Sequence, residues 1–418
     1  MDIKQFPQDV IDENVSYTLK EIKNVIKKYG PRESAGDACY DAQKHMVKEL
    51  NQFADEVHFE EFKTAPKAFL HFTKVVAAAI MLAVIAGFAV GFATENWLIS
   101  SIIVTAVIFI GLFVTTMEFL LYKEFLDPLY KKRTGHNIVA TRKPSGEVKR
   151  RIVITGHCDS AYEWPWLRKT GAGGFKAGLF GAIGVSIVNF ILGIASIAVS
   201  VANPQSTFTK YAFYFNIVVF IFMIPLYTFV NFKRVVPGAN DNLTGTYSAI
   251  CAMRMLEEAG INLENTELVA LVTDGEECGL RGARAWAKAH ADEIKNSDIE
   301  TVVVAVDTLT DLKDLCVYSK DMTGTLTHDK QLSSFVKKCG EDAGVDMKFS
   351  SVYFGASDAA AITQLGLKAT CIAAMDPAPA RYYHTINDSF DILKPDAIEA
   401  GYKVILSTIL KYDSEGLK

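Results

Sequence analysis

Five short clusters in this sequence carry residue types that bind metal ions or move protons, in the order His, Asp, Glu-Glu, Asp, His. The first is Gly156-His157-Cys158-Asp159, directly after the β-rich run Arg151 to Thr155. Active-site groups of open α/β sheets gather beyond the carboxyl ends of strands, and His157 falls there. Asp159 is suited to accept the spare ring N–H of a metal-bound His157 and so fix its tautomer. The second cluster is the loop Pro237 to Gly245, which enters a helix beginning near Thr246. Its Asn, Asp and Thr residues are helix-capping types, but Asp241 also suits a bridging role, because each carboxylate oxygen can face one cation. The third, Thr273-Asp274-Gly275-Glu276-Glu277-Cys278-Gly279-Leu280-Arg281-Gly282, follows the apolar strand Leu268 to Val272. Neighbouring carboxylates can divide labour, with Glu277 binding metal and Glu276 kept off it as the proton carrier. The last two are Val306-Asp307-Thr308, again at a strand end, and Tyr383-His384-Thr385-Ile386-Asn387-Asp388. Taken singly, each cluster has a plain reading as a cap, a turn or a surface histidine. Their weight lies in the order of the set.

The elements that must position these residues alternate between β-rich runs and helical stretches. Arg151 to Thr155, Leu268 to Thr273, Thr301 to Val306 and Ala369 to Ile372 read as strands, and Thr246 to Ala259, Lys330 to Ala343 and Pro395 to Lys411 as helices. That alternation predicts an α/β fold, a mostly parallel or mixed sheet flanked by helices. Four apolar stretches interrupt it: Val75 to Ala93, Trp97 to Tyr122, Ala177 to Ala202 and Tyr211 to Phe232, each of 19 to 26 residues. At 1.5 Å per residue such lengths cross a hydrocarbon core of about 30 Å. They pair into two transmembrane helical hairpins, turning at Thr94-Glu95-Asn96 and around Asn203-Pro204. An even number of spans returns the chain to the same side each time, so one discontinuous domain can form from 1–70, 123–176 and 233–418, with hairpins at 71–122 and 177–232 inserted.

Charge bounds the function classes. A formal net charge of -5 without a Lys/Arg-rich stretch argues against nucleic acid as a partner. Lys63, Lys67, Lys74, Lys123, Lys131, Lys132, Arg133, Lys176, Lys233 and Arg234 flank the domain-side ends of the spans, whereas the hairpin turns offer only Lys210. By the positive-inside rule this predicts a multi-pass protein of the cell membrane with a cytoplasmic catalytic domain. The polar start, Met1 to Val15, shows no secretory signal, and seven scattered cysteines form no disulfide framework.

Together the motifs resemble the co-catalytic di-zinc peptidase family that includes bacterial leucyl aminopeptidases, glutamate carboxypeptidase and glutaminyl cyclase. The resemblance covers nearly all the sequence outside the spans, including the opening Gly30-Pro31-Arg32-Glu33-Ser34-Ala35-Gly36 and the later Glu56 to Phe62. It implies a zinc-exopeptidase-like fold holding two zinc ions, with cobalt or manganese as substitutes. By that resemblance Asp241 bridges the metals, Glu277 and His384 complete one site, His157 and Asp307 complete the other, and Glu276 is the general base; Asp159, from its place beside His157, is expected to act with it as a catalytic residue. The substrate it implies is a peptide and the activity that of a membrane-embedded aminopeptidase; carboxypeptidase and glutaminyl cyclase activities stay open. One departure stands out: where the family has Ser-Asp-His, this chain has Ser357-Asp358-Ala359, which leaves substrate specificity open. Tyr353 and Tyr383 are candidates to stabilise an oxyanion, with packing as the competing role. His45, His58, His71, His136, His290 and His328 lie outside matching motifs. Two rivals come from other classes. A noncatalytic interaction protein on this fold would have lost ligands, and a transporter would carry paired intramembrane charges, whereas Glu118 is the one acidic residue well inside the spans.

Overall fold

A computed structural model describes residues 3–352 and 354–417, so Tyr353 lies outside the described residues. The chain divides into two compact units. One comprises Met1–Pro66, Lys131–Glu163 and Lys233–Lys418, the other Lys67–Tyr130 and Trp164–Phe232.

The first unit is built on a mixed sheet. Its strands are β1 (Glu56–Thr64), β2 (Arg133–Arg142) and β3 (Arg150–His157); short strands β4 (Tyr162–Glu163) and β5 (Asn231–Val235) lie outside the large sheet. There follow β6 (Thr266–Thr273), β7 (Glu300–Leu309), β8 (Leu315–Asp321), β9 (Leu326–Thr327), β10 (Lys348–Ser351) and β11 (Ala369–Ala374). The order across the sheet is β1-β2-β6-β3-β7-β11-β8-β10, with β9 paired to β8. The centre is parallel, β6 to β3, β3 to β7 and β7 to β11, while β1, β2 and β8 bring antiparallel pairings. The expected mixed α/β architecture is therefore present. Every residue of β6 is buried, as the apolar stretch Leu268 to Val272 requires of a central strand covered on both faces. Helices Gln8–Tyr29, Asp37–Leu50, Thr244–Glu258, Arg281–Asn296, Lys330–Asp342 and Pro395–Glu415 supply that cover.

Register places the chemistry. His157 ends β3 opposite Thr273 of β6, and Thr155 pairs with Ala305 of β7. The His157 end, the turn after Thr273 and Asp307 therefore emerge side by side at one edge. β6 and β7 flank β3 on opposite sides, so successive connections run first to one side of β3 and then across to the other, the kind of switch point where α/β sheets open a crevice.

The second unit contains four helices long and apolar enough to cross a membrane: Ala68–Thr94, Trp97–Leu120, Pro165–Ala202 and Phe208–Tyr227, with mean hydropathy from 1.6 to 2.6. Two of them begin before the expected runs, because Lys74 and Lys176 do not break helix geometry; the third is interrupted by a kink at Gly171, φ +66. The fourth ends at Tyr227 rather than Phe232; Thr228 caps it, and Asn231 and Phe232 enter β5. Inside this unit small residues and interhelical hydrogen bonds bring the helices close together. A Cβ on Gly193 would lie 1.9 Å from Thr105 Oγ1, and Asn189 Nδ2 donates to Asn216 Oδ1 at 3.1 Å. The outward faces expose Leu82, Ile85, Phe92, Ile110 and Ile191, a density of apolar surface unusual for a face in water.

Candidate metal centre

Each candidate ligand sits where a local device holds it. His157 closes β3, and its backbone carbonyl accepts the Thr246 hydroxyl at 2.7 Å. The loop of Asp241 is tied at both ends. Asn240 N and Asp241 N donate to the Asp388 carboxylate at 2.8 and 3.1 Å. On the other side Asn242 Nδ2 reaches Val306 O at 2.9 Å, and its Oδ1 accepts Thr308 N at 3.2 Å, beside Asp307. Glu276 and Glu277 occupy a turn that Gly275 enters at φ +74, a conformation glycine adopts without a Cβ penalty. Both their backbone N–H groups donate to Asp159, Glu276 N to Oδ1 and Glu277 N to Oδ2, each at 3.2 Å.

Asp159 therefore has a wider role in the geometry than its spacing foretold. Its carboxylate, fully buried, accepts those two N–H groups and the Ser34 hydroxyl at 2.6 Å. The His157 Nδ1 lies 3.2 Å from the Asp159 backbone carbonyl and 3.6 Å from its carboxylate, so the tautomer is held chiefly through the backbone oxygen.

The six residues singled out in the sequence converge. Asp241 faces two imidazoles with different oxygens, Oδ1 to His157 Nε2 at 3.2 Å and Oδ2 to His384 Nε2 at 3.0 Å. His384 Nε2 also lies 3.3 Å from Glu277 Oε2, and His157 Nε2 lies 3.7 Å from Glu276 Oε2. Two trios offer ligand atoms within 4.8 Å of one another: His157, Asp241 and Glu277, and His157, Glu276 and Asp307. The second trio places Glu276, the expected base, where it could also touch a cation. A third, unforeseen trio is Glu21, His45 and Glu49. There both Glu49 oxygens are engaged, one by the Tyr17 hydroxyl and one by the Tyr247 hydroxyl at 3.3 Å.

The electrostatics of the centre are those of crowded acids. Burial pushes Glu276 well above the usual carboxylate range; His157 opposes this, while Asp358 and Asp307 add to it. Burial likewise raises Glu277, helped by Asp241 and Glu276, and pushes Asp307 up to about 8, helped by Asp241. Asp241 goes the other way: burial would raise it, but hydrogen bonds from His157 and His384 hold it well below its ordinary value. Burial would lower His157, yet Glu276, Asp159 and Asp241 hold it well above the ordinary histidine value.

Zinc fits this donor set. Among the described residues the buried Glu277 Oε1 and Asp307 Oδ1 have no hydrogen-bond partner, an arrangement that costs on the order of 1–3 kcal/mol per group unless something is coordinated there. The four carboxylates Asp241, Glu276, Glu277 and Asp307 carry four negative charges when ionised, which two divalent cations would balance. Imidazole with carboxylate is a donor mixture suited to zinc.

The same geometry has a sequence counterpart in known proteins. Residues 228–409 match the profile of Peptidase family M28. That match takes in the clusters of Asp241, Glu276-Glu277, Asp307 and His384 and supports the family resemblance, while His157 lies outside it. Among solved structures the chain is similar to BSAP, a zinc aminopeptidase from Bacillus subtilis, at 12% identity and TM-score 0.55, covering 96% of this chain and 95% of that one. It is similar to the Fimbriiglobus ruber glutaminyl cyclase at 12% identity and TM-score 0.54, covering 97% and 95%. It is also similar to the Legionella pneumophila LapA aminopeptidase, at 14% identity and TM-score 0.53, covering 98% of this chain and 73% of that one. At such identities the likeness is one of fold. No curated protein sequence matches the chain. Family and fold support a metal-dependent, peptidase-like function.

Sequence reasoning passed over a pocket beside Asp307, lined by Tyr318, Val352, Phe354, Met375, Pro377 and Tyr383 among others. Its walls come from four separate stretches of chain, and no single stretch signals it. Tyr383 stacks on His384 with ring centroids 3.9 Å apart and lines the same pocket. Beside the altered Ser357-Asp358-Ala359, the Asp358 carboxylate accepts the Thr273 hydroxyl at 2.5 Å.

Proposed function

We propose that this chain is a membrane-embedded di-zinc exopeptidase of aminopeptidase type, acting on peptides whose first side chain is apolar. The observation that carries the reading is Asp241, whose two oxygens face His157 on one side and His384 on the other. A carboxylate so placed serves two cations at once. Asp241, Glu277 and His384 would hold one zinc, and Asp241, His157 and Asp307 the other. Zinc bound there supplies an acidified water and polarises the peptide carbonyl.

The chain's own residues do the rest. Glu276 takes a proton at its carboxylate and returns it to the leaving amine. Asp159 fixes the backbone of Glu276 and Glu277 together, so that base and ligand keep their separation. The pocket beside Asp307, walled in part by Val352, Phe354, Met375 and Pro377, is placed to contact the side chain next to the scissile bond. The second unit anchors the enzyme in the bilayer, its apolar outer faces against lipid, with the catalytic unit on the cytoplasmic side.

The test is metal analysis of the full chain in lipid nanodiscs, combined with free amino-terminal, amino-blocked and amino-terminal glutamine peptides. Two zinc ions per chain and cleavage confined to free amino termini with apolar first residues are expected. Cyclisation of amino-terminal glutamine without peptide cleavage would replace this reading with the glutaminyl cyclase one, and a chain that binds no zinc would end it.

A further inference from the structure

Arg32 is wholly buried and faces no carboxylate at salt-bridge distance among the described residues. Taking a guanidinium out of water costs several kcal/mol unless its donors are met. Here they are met by backbone carbonyls alone. Nε donates to Cys158 O at 2.7 Å, Nη1 to Pro237 O at 2.9 Å and to Gly30 O at 3.3 Å, and Nη2 to Gly238 O at 2.8 Å. Cys158 is the residue after His157, and Pro237 and Gly238 open the loop that presents Asp241. One rigid fork therefore joins the backbones on which two of the candidate ligands depend. Ser160 N donates to Arg32 O at 2.8 Å and strengthens the same seam.

The far side of that loop is held by the opposite charge. Asp388, also wholly buried, accepts Asn240 N and Asp241 N, while its own carbonyl accepts Ala239 N at 3.2 Å. It lies four residues past His384, so the same short turn carries a candidate ligand and the anion that grips the Asp241 backbone. The loop is thus drawn through its carbonyls toward a cation and through its N–H groups toward an anion. Between the two grips Gly238 sits at φ +62, where a Cβ would meet Asp241 O at 2.7 Å and Ser160 Oγ at 2.8 Å. The loop has little room to adopt another course.

We infer that Arg32 and Asp388 are paired positioning residues that clamp the Asp241 loop from both sides and set the zinc affinity of the centre. The inference rests on Asp241 being the shared ligand. Lysine cannot replace Arg32, because an ammonium is a point charge that reaches one carbonyl where the fork reaches three segments. Asparagine in place of Asp388 keeps the shape and loses the charge that strengthens both N–H contacts.

The test compares zinc dissociation constants by chelator competition, using the full chain in nanodiscs, for wild type, Arg32→Lys, Asp388→Asn and the double variant. Each single change should weaken zinc binding by about 10- to 100-fold, the usual effect of losing a group that orients a ligand. The double variant should be little weaker than the worse single one, because both grips serve one loop and their effects do not add. Excess zinc should restore turnover toward the wild-type rate, which a general loss of folding would not allow. Wild-type zinc affinity in both single variants, or fully multiplicative losses in the double variant, overturns the clamp. If Arg32→Lys does not fold, the affinity of the near-isosteric Asp388→Asn decides alone. An Asp241→Ala control that loses zinc while the clamp variants keep it leaves the site reading standing and removes the clamp; a wild type that binds no zinc removes both.

Discussion

Replacing Glu276 by glutamine separates the two roles its position allows. The amide matches the carboxylate in size and keeps the backbone bond from Glu276 N to Asp159 Oδ1, so the turn that presents Glu277 should stay in place. What is lost is the proton acceptor. Loss of a general base costs about 10²- to 10⁴-fold in rate, which is about 2.7 to 5.5 kcal/mol of barrier. The upper part of that range is expected because Glu276 is only 9% exposed, so bulk water has little access to stand in for it. Glutamine leaves in place the backbone bonds that present the ligand Glu277, so zinc binding should change little. The assay is kcat on a free amino-terminal peptide, with zinc content measured on the same sample. Near-normal turnover with zinc retained would assign the base elsewhere. Loss of one zinc ion together with activity would show that Glu276 is a ligand, as its place in the trio with His157 and Asp307 permits.

Three further outcomes follow from the same geometry. Asp241→Ala should release both zinc ions and His384→Ala one, measured by metal stoichiometry; an Asp241→Ala chain that keeps two is incompatible with a shared carboxylate. His290 donates toward Glu60 at 2.8 Å, a bond that raises its proton affinity, while Glu60, which burial alone would raise, is drawn below its ordinary value by His290 and His58. A raised histidine stabilises the fold below its unfolded pKa of about 6.5 and loses that effect as pH rises through the folded value, whereas the lowered glutamate contributes above about 4.3. The Tm advantage of wild type over His290→Asn should therefore be present near pH 6 and shrink toward pH 9, corresponding to at most about 1 kcal/mol for so exposed a pair; a gap that widens with pH contradicts this. All seven native cysteines are buried, so the orientation of the catalytic unit needs an introduced thiol at an exposed site such as Glu147→Cys. An impermeant maleimide should label it only after the cells are opened, and labelling of intact cells would reverse the topology.

Much of the plan was legible in the sequence because it rests on local rules. Apolar runs of membrane-spanning length need no partner to be recognised, and the buried strand Thr266–Thr273 announces itself through its apolar stretch Leu268 to Val272. The kinds of side chain at the candidate centre were legible too, since metal chemistry demands imidazole and carboxylate and their order along the chain is itself a pattern. Edge strands such as Lys348–Ser351 were not, because with one side open they need no apolar run. Boundaries also escaped: Phe232 continues the hydropathy of the fourth span yet belongs to a strand, a choice made by pairing rather than by composition. What only the tertiary structure decided is how distant segments meet. Register across β6, β3 and β7 brings His157, Glu276 and Asp307 to one edge, and the apolar pocket exists only where four stretches of chain converge. Arg32 and Asp388 carry no metal-binding signature in sequence, because their partners are backbone groups, which every residue but proline's N–H provides alike. Their part appears only once folding has brought the loops of His157 and Asp241 against them.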